Sequence, residues 1–174
     1  MKLSKKDIKV LAIILDKKDI SHLSQENQKV ISSLRSKLSG VGTIELFVDG
    51  AADLHSGTAG IGGVFYRNGE ELYSFSEFIG SKTNNEAEYE ALIMGVKEAH
   101  KLRVSSLNIF ADSQLVVRQI MGQYKVKNER MKLLHRQALE LLGKLENWNI
   151  EHVYRDKNTR ADALSKSGMG KGRE

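Results

Sequence analysis

Four carboxylates in this sequence stand where apolar core elements begin or end. Asp49 closes the run IELFVD and Asp112 closes LNIFAD. Asp162 falls in the first turn predicted for a C-terminal helix, within NTRADAL. The fourth comes from TNNEAEYEAL, residues 83–92, where Glu86, Glu88 and Glu90 crowd together. On a helix over 84–103, Glu88 begins a stripe with Ala91, Leu92, Gly95, Ala99 and Leu102, and such a stripe must face the rest of the fold. Glu86 and Glu90 fall off it, beside Ile93, Met94 and Lys97, as solvated charges; Glu86 also suits the positive end of the helix. Glu88 is therefore the carboxylate that points inward. A buried carboxylate is costly unless paired or bound to a cation. Its plainer reading is a structural salt bridge, as an Asp at a strand end is plainly a cap or turn former. Side by side, however, three or four such anions repel each other unless divalent cations fill the space between them. Oxygen-only ligands suit Mg2+ or Mn2+ rather than Zn2+. Two such ions about 4 Å apart serve in-line phosphodiester cleavage.

The elements that would bring these groups together can be traced from residue 43 onward. IELFVD (44–49), GIGGVFYR (60–67) and EELYSFSEFIG (70–80) have strand texture, and Asn68-Gly69 is a hairpin turn signal. Then come the helix over 84–103, a strand over 107–112, helices over 113–121 and 128–146, a strand over 148–154, and a helix from about Thr159. The first three strands can form an antiparallel meander, whereas the later ones need helical crossovers. The predicted class is α/β, a mixed five-stranded sheet flanked by helices. If strands 44–49 and 107–112 are neighbours, Asp49 and Asp112 meet at one end of the sheet.

Ahead of this body, residues 1–42 read as a helical hairpin and linker. Residues 4–19 carry Ile8, Leu11, Ile14 and Leu15 at helical spacing, and residues 24–39 carry Val30, Ile31, Leu34 and Leu38, with Ser24 as an N-cap. Gly40 and Gly42 punctuate the exit. This segment holds nine Lys/Arg against four Asp/Glu, whereas residues 43–174 hold eighteen of each. The whole +5 net charge of the 174-residue chain thus sits in the hairpin, which suggests a polyanion or simply a solvated face. Two short helices cannot bury enough surface alone. They must dock on the body, a second copy or a partner. There is no cysteine and no proline. The first excludes thiolate metal sites and disulfides, and the second leaves turns to Gly, Asn, Asp and Ser. No apolar run approaches a membrane span. The basic start MKLSKKDIKV leads into a short, charge-broken apolar stretch rather than a leader, so a cytoplasmic location is expected.

In order, FVDGA, AGIGG, TNNEAE, FADSQLV and NTRADALS resemble the type 1 ribonuclease H family over about residues 44–168. GQYKVKNERMKLL after the DSQ helix is similar to the compact branch that lacks a basic protrusion. The resemblance implies a ribonuclease H-like fold. It also implies a metal-binding catalytic tetrad of Asp49, Glu88, Asp112 and Asp162, two Mg2+ or Mn2+ ions, and cleavage of the RNA strand of RNA–DNA hybrids to 5′-phosphate and 3′-hydroxyl ends. By the same positional match, Asn84, Asn85 and Gln114 would reach the minor groove, where 2′-hydroxyls mark RNA. Gly50 and Ala51 would offer backbone near the scissile region, and Thr83 would help hold a DNA-strand phosphate. Asn84 and Asn85 also fit plain helix capping.

The sequence departs from the family pattern in two places. His55-Ser56-Gly57-Thr58 replaces an Asn-Pro-Gly-Pro run, so His55 stands in for a substrate-contacting Asn or is an ordinary loop histidine. The short link from Tyr154 to Asp162 has no histidine. That leaves Arg155 to touch substrate or product phosphate, while His152 is expected inside the strand without that role. Slow turnover or a preference for Mn2+ would fit this loss. The hairpin has no aromatic residue to stack on bases. Its lysines would hold phosphates, or the hairpin would dimerise or dock. Two other readings stand beside the hybrid nuclease: a DNA-directed nuclease of the same superfold, and a non-catalytic nucleic-acid-binding protein. The second would be expected to lack a carboxylate, and none is missing.

Overall fold

A computed structural model describes residues 44–173 and, ahead of them, residues 21, 23–28, 30 and 31. The chain divides into two units between Thr43 and Ile44. In the first, residues 25–28 are helical, and Ser24 caps them as predicted: its Oγ accepts from the Asn27 N–H at 3.3 Å. The remainder of the expected hairpin lies outside the described residues.

The second unit is built on five strands. They are β1 (Ile44–Asp53), β2 (Thr58–Arg67), β3 (Glu70–Phe78), β4 (Ser106–Ala111) and β5 (Asn147–His152), in the order β3-β2-β1-β4-β5. The β1–β2 and β2–β3 pairs are antiparallel; β1–β4 and β4–β5 are parallel. Asn68 and Gly69 turn β2 into β3, both at positive φ (54° and 82°), as the dipeptide predicts. The helices are α1 (Asn84–Lys101), α2 (Gln114–Ile120), α3 (Glu129–Leu142) and α4 (Thr159–Gly170). Their observed N-caps, Thr83, Ser113 and Asn128 for the first three, use side-chain oxygens to accept the free N–H groups of the first turn. Among the described residues, no helix is long and apolar enough to cross a membrane.

Along β1 the side chains alternate between the two faces of the sheet. Ile44, Leu46 and Val48 are buried under α1, where Gly95 allows close packing against Leu46. Asp49 lies on the other face, under α4. There Gly60 and Gly62 of β2 have no side chain, and a Cβ at either would overlap the α4 backbone.

Two expectations need correction. β1 runs four residues past Asp49, because its pairing with β2 continues from Asp49↔Gly62 to Asp53↔Thr58. Only the ladder to β4 stops before Asp49, at Val48↔Ala111. The burial of α1 is also much wider than a single stripe. Ile93 and Glu86 are buried and Leu102 is about half exposed, because α1 is pressed between the sheet and α3. Glu86 is therefore not a solvated charge. Its Oε2 accepts from the Thr83 N–H at 2.9 Å and the Thr83 hydroxyl at 2.8 Å, closing a capping box.

Candidate active site

The site forms where the β1–β4 ladder ends. Asp49 and Asp112 are the next residues on these two neighbouring parallel strands, so their carboxylates come together. Glu88 reaches the same point from the first turns of α1. It can do so because Gly50 has no side chain: a Cβ there would overlap the backbone of Ala87 and Glu88. The Gly50 N–H also donates to Glu88 Oε2 at 3.3 Å. One carboxylate oxygen each from Asp49, Glu88 and Asp112 lie within 4.8 Å of one another.

The electrostatics follow from burial and like charge. Glu88 is 7% exposed. Desolvation, then the charges of Asp49 and Asp112, push its pKa from 4.5 up to about 9, against the smaller opposing pull of the Gly50 N–H. Asp49, 3% exposed, is raised from 3.8 to about 6, chiefly by burial, while a hydrogen bond from Ser165 pulls the other way. Asp112 Oδ1 is buried without a hydrogen-bond partner among the protein atoms. Three crowded carboxylates, one held protonated at neutral pH and one with an orphaned oxygen, fit a hard divalent cation bound through oxygen.

Asp162 lies at the edge of this group and does not join the close cluster. Its Oδ1 accepts from Arg155 (Nη2 at 2.6 Å, Nε at 3.1 Å) and its Oδ2 from Lys166 at 2.6 Å. Desolvation raises its pKa, but these two cations outweigh it and hold the group below 3.8. Asn158 anchors the start of α4: it is buried, and its Nδ2 donates to the Val48 carbonyl at 2.9 Å. That bond ties the helix bearing Asp162 to the strand bearing Asp49.

A cleft of about 490 Å3 opens over the cluster, with Gly50, Ala51, Asn84, Arg155 and Lys166 in its walls beside the three carboxylates. Thr83, Asn85, Gln114 and His55 are not in these walls. Thr83 is the N-cap of α1, so Asn84 and Asn85 are its first helical residues and not its caps. Gln114 begins α2 and lines an adjoining pocket with Arg118 and Gln123. His55 is exposed in the β1–β2 turn, where its N–H donates to Asp53 Oδ1 at 2.9 Å. Sequence reasoning missed Asn158, Ser165 and Lys166 as site residues. Ser165 and Lys166 stand three and four residues after Asp162, which puts them on its helix face, and that spacing was the available signal. The strand expected over 148–154 stops at His152, so His152 is the last residue of β5 rather than an interior one, and it lines the cleft.

Known proteins resemble this chain in sequence and fold. The reverse transcriptase-like family model matches residues 47–168. Ribonuclease HI of Halobacterium salinarum is 33% identical over 129 residues, 74% of this chain and 65% of its own length. A Mycobacterium tuberculosis protein described as bifunctional is 37% identical over 123 residues, 70% of this chain and 34% of the relative. The chain thus spans about two thirds of one of these relatives and one third of the other. Among solved structures, RNase H1 of Halobacterium salinarum superposes with a TM-score of 0.72 at 33% identity, covering 75% of this chain and 99% of that one. LC11-RNase H1, isolated from compost and solved in complex with an RNA/DNA hybrid, superposes with a TM-score of 0.71 at 33% identity, covering 76% and 100%. With the family model matched over residues 47–168 and this degree of identity and superposition along the full length of the solved relatives, the chain belongs to the reverse transcriptase-like family and, within it, to the ribonuclease H group.

Proposed function

We propose that this protein is an endonuclease that hydrolyses the RNA strand of RNA–DNA hybrids, leaving 5′-phosphate and 3′-hydroxyl ends. The observation that carries the proposal is the Asp49–Glu88–Asp112 cluster at the floor of an open cleft. The hybrid bound by LC11-RNase H1 supports the choice of substrate. Asp49, Glu88, Asp112 and Asp162 would hold two Mg2+ or Mn2+ ions, which supply Lewis-acid activation of water and stabilise charge on the leaving 3′ oxygen. Glu88 gives up its proton when the site is loaded. Arg155 and Lys166 place two cations on the cleft wall, where they oppose backbone phosphate and balance Asp162. Asn84, in the same wall, and Asn85 and Gln114 near it would read sugar and base edges on the minor-groove side. Gly50 and Ala51, in the same wall, would offer backbone near the scissile region. Thr83, exposed at the N-cap of α1, would hold a DNA-strand phosphate. Residues 43–174 form the catalytic domain in this reading, working in the cytoplasm. Residues 1–42 form a basic appendage that adds salt-dependent affinity for the hybrid or docks a partner or second copy.

The test is cleavage of an end-labelled hybrid with Mg2+ or Mn2+, beside matched RNA–RNA, DNA–DNA and single-stranded controls. Cutting confined to the RNA strand of the hybrid, and absent in Asp49→Asn, is expected. A hybrid that binds but stays intact with either metal overturns the proposal. Cutting of DNA–DNA instead would assign a DNA-directed nuclease.

A further inference from the structure

Ser165 is fully buried in α4, and its hydroxyl donates to Asp49 Oδ2. The same oxygen lies 2.9 Å from the Asp162 carbonyl. One hydroxyl proton thus sits between two residues of the acidic site, and the carboxylate is the stronger acceptor.

The surrounding chain is arranged to permit this contact. Asp49 pairs with Gly62 across the β1–β2 ladder. A side chain at Gly62 would overlap the Ser165 backbone nitrogen, and one at Gly60 the Ser165 carbonyl. The glycines of GIGG therefore let α4 settle against β2 deeply enough for Ser165 to reach the aspartate on the next strand. Among the described hydrogen bonds Ser165 is the side chain that donates to Asp49; the carboxylates of Asp112 and Asp162 repel it and the Arg155 cation attracts it through space.

Building on the proposed metal site, we propose that Ser165 is a positioning residue for Asp49. Its hydroxyl occupies one side of Oδ2 and fixes the plane of the carboxylate, so that the remaining lone pairs face the space shared with Glu88 and Asp112. Groups that orient metal-binding side chains in this way typically change metal affinity or activity by about 10- to 100-fold when removed.

The measurement is Mn2+ binding to the full chain by titration calorimetry, without nucleic acid, which requires no turnover. Ser165→Ala is expected to bind Mn2+ about tenfold more weakly while melting as a folded protein. Ser165→Cys keeps the length of the side chain but donates poorly, so it is expected to show the same weakening and serves if the alanine variant fails to fold. Ser165→Thr, which keeps the hydroxyl, is expected to restore most of the affinity. In an Asp49→Asn background the Ser165→Ala change is expected to add nothing, because the residue acts through Asp49. Unchanged Mn2+ affinity in both Ser165→Ala and Ser165→Cys overturns the proposal, as does a full loss that persists in the Asp49→Asn background. If the parent protein binds no Mn2+, the metal-site reading itself fails, and the Ser165 proposal with it.

Discussion

Glu88→Gln should flatten the pH dependence of stability in the metal-free protein. Glu88 has a folded pKa of about 9 and an ordinary value of 4.5. Between those values the folded protein holds a proton that the unfolded chain has released. Stability from this group is therefore fully present below about pH 4.5 and is lost as pH rises toward 9. Each pH unit inside that window costs about 1.36 kcal/mol, so from pH 6 to pH 8 the parent loses about 2.7 kcal/mol through Glu88 alone. Glutamine cannot ionise, has nearly the same shape, and can still accept the Gly50 N–H. Near pH 4.5 and below the two proteins should be nearly equal in stability, neutral replacing neutral, and at pH 6, about 1.5 pH units above 4.5, the variant should already be the more stable by about 2 kcal/mol. At pH 8 the gap should have widened by about a further 2.7 kcal/mol, to roughly 4–5 kcal/mol in favour of the variant. Asp49 titrates near pH 6 in both proteins, so its contribution largely cancels in the comparison. Urea unfolding in a chelating buffer at pH 6, 7 and 8 measures the difference. Parallel stability curves would refute the reasoning, for they would mean that Glu88 is already ionised and balanced in the metal-free fold.

Other expectations follow from the same geometry. Mg2+ binding at pH 7 should release close to one proton, because Glu88 must ionise to coordinate; calorimetry in two buffers of different ionisation enthalpy counts it. Gly50→Ala should push α1 off β1, with a stability loss on the order of 2 kcal/mol or more and loss of cleavage, read by thermal melting and hybrid cutting. Asn158→Ala should cost about 1–3 kcal/mol by leaving the buried Val48 carbonyl unpaired, and it should weaken Mg2+ binding by loosening α4, measured by melting and metal titration.

Most of the sheet was legible in the sequence, because its signals are local. Asn68-Gly69 fixes a hairpin, and apolar runs ending in Asp49 and Asp112 mark two strands whose parallel pairing aligns those residues. Glu88 was legible because helical periodicity separates it from Glu90. The same periodicity misjudged Glu86. A helix buried on two sides has no single apolar stripe, and a capping box can bury a carboxylate at the helix start. The length of β1 was missed because GAAD has little strand propensity; pairing with β2, not side-chain preference, extends it. Asn158 and Ser165 act at sequence separations of 110 and 116 residues. No local pattern shows such contacts, although the helical spacing from Asp162 placed Ser165 on the relevant face.

The most direct test compares hybrid cleavage by Glu88→Gln and Glu86→Gln with Mg2+. The two residues are the same type, two positions apart on α1 and so about 200° apart around the helix, and differ in what surrounds them. The account predicts that Glu88→Gln folds and does not cut, whereas Glu86→Gln, whose glutamine still closes the capping box, cuts within a few-fold of the parent. Equal loss in both variants, or cutting by Glu88→Gln at the parent rate, would contradict the assignment of the inward carboxylate as the metal-holding one.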